Sequence, residues 1–169
     1  SSNNICTLRA AIMNANRHAG GATIILPANT YVLSLSPMGA DDDSTGNLNI
    51  TGTVTLQGSG ANSTIVDGAG LDGVFAIDGG VVTLAGLTIQ HGDAGPTGAG
   101  GGLDNFGQLT LSDSVVSGNM AGLGGGLLNE SSAVLLVRRS TIRDNTATLN
   151  GGGGIESYGP LTIENSTVK

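Results

Sequence analysis

Residues 100–119 read GGGLDNFGQLTLSDSVVSGN, and this pattern returns with changes as GGGLLNESSAVLLVRRSTIRDN in residues 124–145. A third, partial copy, GGGIESYGPLTIENSTVK, closes the chain. Each copy begins with glycines and continues with alternating apolar and polar residues, and the complete copies end at an asparagine. A period in the twenties, with alternation of period two inside each unit, indicates a β-solenoid in which every copy forms one coil.

Alignment of the copies gives three columns of residues that we expect to point inward and to stack about 4.8 Å apart, which is the ordinary spacing of strands. Leu56 extends the second column to an earlier coil. The columns are Val82, Leu109, Leu135 and Leu161; Leu84, Leu111, Val137 and Ile163; and Ile89, Val116, Ile142 and Val168.

Glycines and small polar residues recur at fixed positions between the strands. In each copy a pair of glycines precedes the strand that begins with Leu or Ile. Because glycine reaches positive φ without strain, these pairs predict sharp corners. The polar positions predict hydrogen-bonded ladders that run from coil to coil. The glycine pairs are Gly101-Gly102, Gly125-Gly126 and Gly153-Gly154, and the polar columns are Ser114, Ser140 and Ser166, and Asn119 and Asn145.

The first segment, CTLRAAIMNANRHAGG, has a helical period instead, with Leu8, Ala11, Ile12 and Ala15 on one face. Thr7 is the predicted N-cap, and Gly20-Gly21 is the predicted end of the helix. We expect Cys6 to be a small buried residue. A helix here would cover the exposed strand edges of the first coil, so the sequence divides into a cap of residues 1–22 and coils of residues 23–169.

Composition narrows the function classes. The chain of 169 residues fits one domain, and with only 2% aromatic residues its core must be a thin stack of aliphatic side chains. The net charge is −7 and Lys169 is the only lysine, which argues against nucleic acid and against anionic membranes as partners. No apolar run has the 18 or more residues of a membrane-spanning helix.

The motifs CTLRAAI, GGATIILPANTYVL and ITGTVTLQGSGANSTIVDG resemble those of the CSLREA-type bacterial surface proteins. The "GGGL…LTLSDSVVSGN" units resemble the repeats of the same proteins and also the GGA[I/L] repeats of polymorphic outer-membrane autotransporters. The resemblance covers nearly the whole chain. It implies an all-β fold, a right-handed single-stranded parallel β-helix of the pectate-lyase-like type with an N-terminal cap. It also implies a secreted or cell-surface location. Ala10 stands where the family motif has Glu, so the reciprocal half of the capping box is missing.

The sequence therefore predicts a non-catalytic bacterial surface module, adhesin-like or a structural stalk, with no assigned catalytic residue and no cofactor. Its surface ligand is unidentified, with polysaccharide one candidate. Arg138 and Arg139 face residues of neighbouring coils in the predicted register and are expected to form exposed cross-strand pairs. The acidic cluster Asp41, Asp42 and Asp43 is a candidate for calcium, since a bent loop could bring two of its carboxylates to one ion.

Two other functions stay open. One is a carbohydrate-active β-helix, a lyase or hydrolase whose catalytic part lies outside this sequence or in the loop after His91. The other is ice binding by outward threonine columns, although strand preference alone explains these columns. The columns are Thr55, Thr83, Thr110 and Thr162, interrupted by Leu136, and Thr88, Thr141 and Thr167, interrupted by Val115.

The chain stops in the middle of a coil, at NSTVK. We therefore expect it to belong to a longer solenoid or to associate end to end through Leu161, Ile163 and Val168, because an uncovered coil presents strand edges and core side chains.

Overall fold

The computed structural model of the protein describes residues 6–38 and 44–169, where one helix and nineteen short strands follow one another. In chain order they are α1 (Leu8–Ala15), β1 (Ala22–Leu26), β2 (Asn29–Val32), β3 (Leu48–Ile50), β4 (Val54–Gly58), β5 (Thr64–Asp67), β6 (Phe75–Ile77), β7 (Val81–Ala85), β8 (Thr88–Gln90), β9 (Leu103–Asn105), β10 (Gln108–Ser112), β11 (Val115–Ser117), β12 (Met120–Ala121), β13 (Leu127–Asn129), β14 (Val134–Arg138), β15 (Thr141–Arg143), β16 (Thr146–Ala147), β17 (Ile155–Ser157), β18 (Leu161–Glu164) and β19 (Thr167–Val168).

The strands form three parallel sheets that share one core, so the predicted all-β parallel β-helix is confirmed. Sheet A contains β1, β4, β7, β10, β14 and β18; sheet B contains β2, β5, β8, β11, β15 and β19; sheet C contains β3, β6, β9, β13 and β17. A further pair, β12 and β16, links two coils. Neighbours within each sheet come from successive coils, which is the arrangement of a solenoid.

All three predicted inward columns are confirmed by the strand register. In sheet A, Leu109 lies opposite Val82 and Leu135, and Leu111 lies opposite Leu84 and Val137. In sheet B, Val116 pairs with Ile89 and Ile142, and the last coil continues both sheets. Most column members are fully buried, with Leu84, Leu111 and Ile142 at 0% exposure. Those of the last coil, Leu161, Ile163 and Val168, are 37–44% exposed.

The glycine pairs sit at the predicted corners, but the reason expected for them is wrong. None of the three pairs adopts positive φ; that conformation occurs one residue earlier, at Gly100 and Gly124. The pairs are required instead by the close approach of successive coils. A Cβ on Gly102 would lie 2.6 Å from the carbonyl oxygen of Gly126, which is closer than real Cβ contacts. A Cβ on Gly126 would meet Gly154 in the same way.

Between sheets A and B, a corner is built from a column of left-handed residues. Gly86, Asp113, Arg139 and Asn165 occupy equivalent positions in successive coils, with φ between 47° and 65°. Asparagine and aspartate enter this region more readily than other non-glycine residues, whereas arginine does so at a cost of roughly 1 kcal/mol. The corner at Arg139 therefore needs stabilisation from side-chain contacts.

The N-terminal helix begins as predicted and ends earlier than predicted. The Thr7 Oγ1 accepts a hydrogen bond from the Ala10 N–H at 3.2 Å, so the N-cap is confirmed although Ala10 cannot reciprocate. The helix ends at Ala15 and not at the glycines, and the side chain of its C-cap residue Asn16 contacts the first coil. Its Nδ2 donates to the Asn49 carbonyl and its Oδ1 accepts from the Thr51 N–H.

The buried face of α1 packs on β1 and β3 and consists of Leu8, Ile12 and Ala15, so the helix covers the first coil as expected. Cys6 is exposed, which contradicts the prediction of a buried residue, because it precedes the N-cap and lies outside this face. Arg9 fastens the helix, since its guanidinium donates to the backbone carbonyls of residues 45, 46 and 47.

Candidate functional site

The calcium candidates Asp41, Asp42 and Asp43 lie outside the described residues, so calcium binding there stays a prediction. Within residues 6–38 and 44–169, no group of three or more His, Cys, Asp and Glu side chains is arranged to hold a metal ion. The same residues contain no helix long and apolar enough to cross a membrane.

Arg139 forms the cross-strand pair expected of it. Its Nε and Nη2 donate to the two carboxylate oxygens of Asp113 in the preceding coil, each at 2.7 Å. Both residues are in the left-handed conformation at the A–B corner, so the bidentate pair holds two strained corners together. The hydrogen bonds from Arg139 hold the pKa of Asp113 below its usual value, and Asp113 raises that of Arg139.

Arg138 does not form the expected pair. It lies between Ser112 and Glu164 in the register, as predicted, yet no ion pair joins it to Glu164. The side chain is half-buried, and its Nε has no hydrogen-bond partner among the described residues. The sequence could place Arg138 in its column but could not show which way its long side chain turns.

A second polar cluster lies on the outer side of sheet B, where Asp67 accepts from two neighbours in the next coil. The Gln90 Nε2 is 2.8 Å and the His91 Nδ1 is 3.0 Å from its Oδ2. Its Oδ1 accepts from the Ala69 N–H at 2.9 Å. Partial burial acts to raise the pKa of Asp67, but the hydrogen bonds from Gln90 and Ala69, with His91 beside it, lower it on balance. The His91 side chain is 59% exposed, as expected of a surface residue.

The acids on the outer side of sheet C are held apart as predicted. Asp104 and Glu156 share a column, but Leu128 of the intervening coil lies between them, so the two acids are two coils apart. A carboxylate oxygen of Glu156 accepts from the Gly152 N–H, and Leu128 is buried. These two acids therefore do not converge on a cleft as a pair of carboxylates in a hydrolase would.

The loop after His91 packs against the following coil. The Ala94 N–H donates to the carbonyl of Met120, and the Gly100 N–H donates to that of Leu123. Its one carboxylate, on Asp93, accepts from the Gly95 N–H at 2.9 Å. The loop residues are therefore fixed mainly by the next coil.

The threonine columns have the predicted register, with Leu136 and Val115 as the interruptions. Thr88 is buried, and its hydroxyl donates to the Ala61 carbonyl at 2.7 Å. A hydroxyl that is engaged in this way cannot order water on the surface, which weakens the second column as an ice-binding row.

Both predicted polar ladders are present. The Ser114 N–H donates to the Ser140 Oγ, and the Ser140 N–H donates in turn to the Ser166 Oγ, at 3.2 and 3.0 Å. In the second ladder, the Asn119 N–H and Nδ2 both donate to the Asn145 Oδ1. Each ladder satisfies polar groups inside the solenoid by joining one coil to the next, as buried polar groups require.

A third ladder was not found from the sequence. The Asn105 Nδ2 donates to the Asn129 Oδ1 at 2.7 Å, and the Asn129 Nδ2 donates to the Ser157 Oγ at 3.0 Å. Both asparagines are 0% exposed. The signal was the polar residue two positions after the first inward residue of each glycine-led strand, in LDN, LLN and IES.

The chain matches no protein-family model, no curated protein and no solved structure. The resemblance to CSLREA-type proteins and autotransporter repeats thus depends on the quoted motifs alone.

Proposed function

We propose that the chain is a non-catalytic β-helix module of a secreted or cell-surface bacterial protein, where it acts as an adhesin-like surface or a structural stalk. The observation that supports this most is the set of ladders along the solenoid axis. Polar side chains at three inward columns make their hydrogen bonds to the next coil, and so does the Arg139–Asp113 pair on the surface. A stalk needs strength along its axis, which such contacts supply.

In a solenoid each coil contacts only its neighbours, so a load along the axis passes through every interface between coils. The aliphatic columns resist separation by burial, and the ladders add directional hydrogen bonds whose breakage would expose unpaired buried groups. An interface that carries both should separate at higher force than one that carries burial alone.

Single-molecule stretching between the two ends tests the proposal. We expect extension in steps of about one coil, with the Asn129→Leu variant yielding at lower force at its own interfaces. Val32→Ala, at an exposed position of sheet B, is the matched control and should leave the forces unchanged. Smooth extension at forces no higher than those of an unfolded chain would contradict a stalk.

A carbohydrate-active enzyme is the second candidate, and one observation favours it. Arg138 makes no ion pair among the described residues, whereas Arg139 is committed to Asp113. A cation of this kind is what a uronate carboxylate would meet in a lyase. Incubation with pectate and alginate, followed by measurement of chain length, tests this. If the wild type cleaves one of these polymers and Arg138→Ala does not, the chain is an enzyme, and the non-catalytic proposal is wrong.

End-to-end association is a further part of the proposal. Leu161, Ile163 and Val168 in the last coil are exposed, and burying such side chains against a second copy is favourable. Sedimentation over a concentration series should show larger species that Ile163→Lys abolishes. A monomer at every concentration would remove this part and leave the stalk proposal intact.

A further inference from the structure

Two exposed aromatic side chains occupy one column at the corner between sheets C and A. The chain has two phenylalanines and two tyrosines; Phe75 is buried at 1% exposure, while Phe106 is 46% and Tyr158 is 55% exposed. Phe106 and Tyr158 directly follow Asn105 and Ser157 of sheet C, and each of these two residues pairs with Asn129 of the coil between them. They therefore stand at equivalent positions, two coils apart.

The coil between them contributes a carboxylate at the same position. The Glu130 N–H donates to the carbonyl of Asn105, and the Tyr158 N–H donates to that of Asn129, so the backbone ladder runs through all three residues. Among the described residues the Glu130 side chain has no hydrogen-bond partner. Partial desolvation, then the charge of Glu156 and the hydrogen bond that the Tyr158 hydroxyl donates to it, and then the charge of Glu130 raise the pKa of Tyr158.

We propose that this aromatic–carboxylate column, Phe106, Glu130 and Tyr158, is a binding site for a neutral, β-linked polysaccharide. The proposal rests on the adhesin-like function above and names the ligand class of that surface. Aromatic faces pack against the C–H bonds of pyranose rings by the same apolar and quadrupolar forces that bind other side chains. The Glu130 carboxylate between them is an acceptor for sugar hydroxyls, and the exposed hydroxyls of Ser131 and Ser132 adjoin it.

The spacing of the column fits an extended sugar chain. Equivalent positions two coils apart are separated by about 10 Å, twice the spacing of adjacent strands. In an extended β-linked chain each ring advances by nearly one strand spacing, and alternate rings present the same face. Phe106 and Tyr158 can then each pack on one of two alternate rings while the ring between them meets Glu130.

The charge of the column selects a neutral polymer. Glu130 and Glu156 would repel a uronate or sulfated chain, and none of the six basic residues is on this corner. Arg9 and Arg17 belong to the helical segment, Arg138 and Arg139 lie at the far end of the sheet A strands, and Arg143 and Lys169 lie at the end of the sheet B strands.

Affinity electrophoresis through gels that contain soluble cellulose derivatives, mixed-linkage β-glucan or galactomannan, with pull-down on insoluble cellulose and chitin, tests the site. We expect retardation by at least one neutral β-linked polymer and none by pectate or alginate. Phe106→Ala and Tyr158→Ala should each weaken binding by about tenfold, and the double variant should abolish it. Tyr158→Phe keeps the ring and should bind nearly as the wild type does.

Val32→Ala is the control, because Val32 is 56% exposed but lies on sheet B. Circular dichroism shows that each variant is folded. Equal binding by wild type and the double variant, or no binding to any neutral polymer, would overturn the proposal. Binding only to polylysine, lost at high salt, would indicate a cationic partner and would also overturn it. Measurement of polymer length in the same samples separates the two proposals: a bound and cleaved polymer refutes the non-catalytic function but keeps the site.

Discussion

The early coils, from β1 to β8, and the later coils, from β9 to β19, fill one inward column of sheet C with different side chains. We call these two parts the apolar half and the polar half. In the third position of the sheet C strands, the early coils have Ile50 and Ile77, and the later coils have Asn105, Asn129 and Ser157. All except Ser157 are 0% exposed. The sheet does not change, so the interior accepts either aliphatic or polar residues there.

An apolar and a polar residue also meet in one column at the A–B corner. Leu87 is fully buried, and its N–H donates to the Oγ of Ser114, which begins the serine ladder. The sheet C column thus changes once, from apolar to polar, and stays polar up to the last coil, whereas at the A–B corner Leu87 lies between the buried Thr64 and Ser114. A polar side chain in this interior is tolerated when the next coil supplies its partner, and an isolated one would be left without a hydrogen bond.

The largest effect is expected from placing a polar residue in the apolar half. Ile50→Asn should lower the free energy of unfolding by about 4 kcal/mol, because it removes a buried aliphatic side chain and buries an amide beside Ile77. Ile77→Asn should cost clearly less, because the Asn105 Oδ1 in the next coil can accept from the new amide. Urea unfolding compares the two, and equal costs would contradict the ladder rule.

The reverse change, in the polar half, should be nearly as severe. Asn129→Leu removes the oxygen that accepts from Asn105 and the amide that donates to Ser157. We therefore expect the free energy of unfolding in urea to fall by about 3 kcal/mol. Ser157→Ala removes only the last member of the ladder and should cost about 1 kcal/mol. A larger cost for Ser157→Ala than for Asn129→Leu would show that position along the ladder does not matter.

The apolar half depends on its cap, which has no counterpart among the later coils. Arg9→Ala removes the hydrogen bonds to three carbonyls before β3, and we expect a loss of about 2 kcal/mol with faster amide exchange in β1 and β3. Arg17→Ala, at an exposed position after the helix, is the control and should change stability by less than about 0.5 kcal/mol. If amide protection in Arg9→Ala fell as much in β14 as in β1 and β3, Arg9 would not act locally on the first coil.

The smallest effect concerns pH. Asp67 and Asp113 have pKa values lowered by their partners in the next coil, so their contributions to stability are full above the unfolded pKa of about 3.9 and are lost as the pH falls through the folded values. Asp67→Asn should therefore flatten the acid limb of the stability curve, with little change in its shape near neutral pH. An unchanged acid limb in urea titrations would contradict this.

The sequence predicted the fold because each coil repeats the same register. Aligning the copies was enough to place Leu109 beside Leu135 and Arg139 beside Asp113, since strand pairing preserves the alignment. The exposure of Phe106 and Tyr158 was not predicted, because both residues come after the strand in which apolar and polar residues alternate, and they lie at a turn. The direction of the Arg138 side chain was also missed, because register fixes a backbone position and not a rotamer.

Each polar column acts as one unit, and a double-mutant cycle on Asn105 and Asn129 measures this coupling. The free energy of unfolding is measured for Asn105→Ala, Asn129→Ala and the double variant, with Asn105→Ala and Ser140→Ala as a pair from different columns. The ladder predicts that the double variant loses less than the sum of the single losses by at least about 1 kcal/mol, whereas the control pair is additive. Additivity within about 0.5 kcal/mol for Asn105 and Asn129 would contradict it.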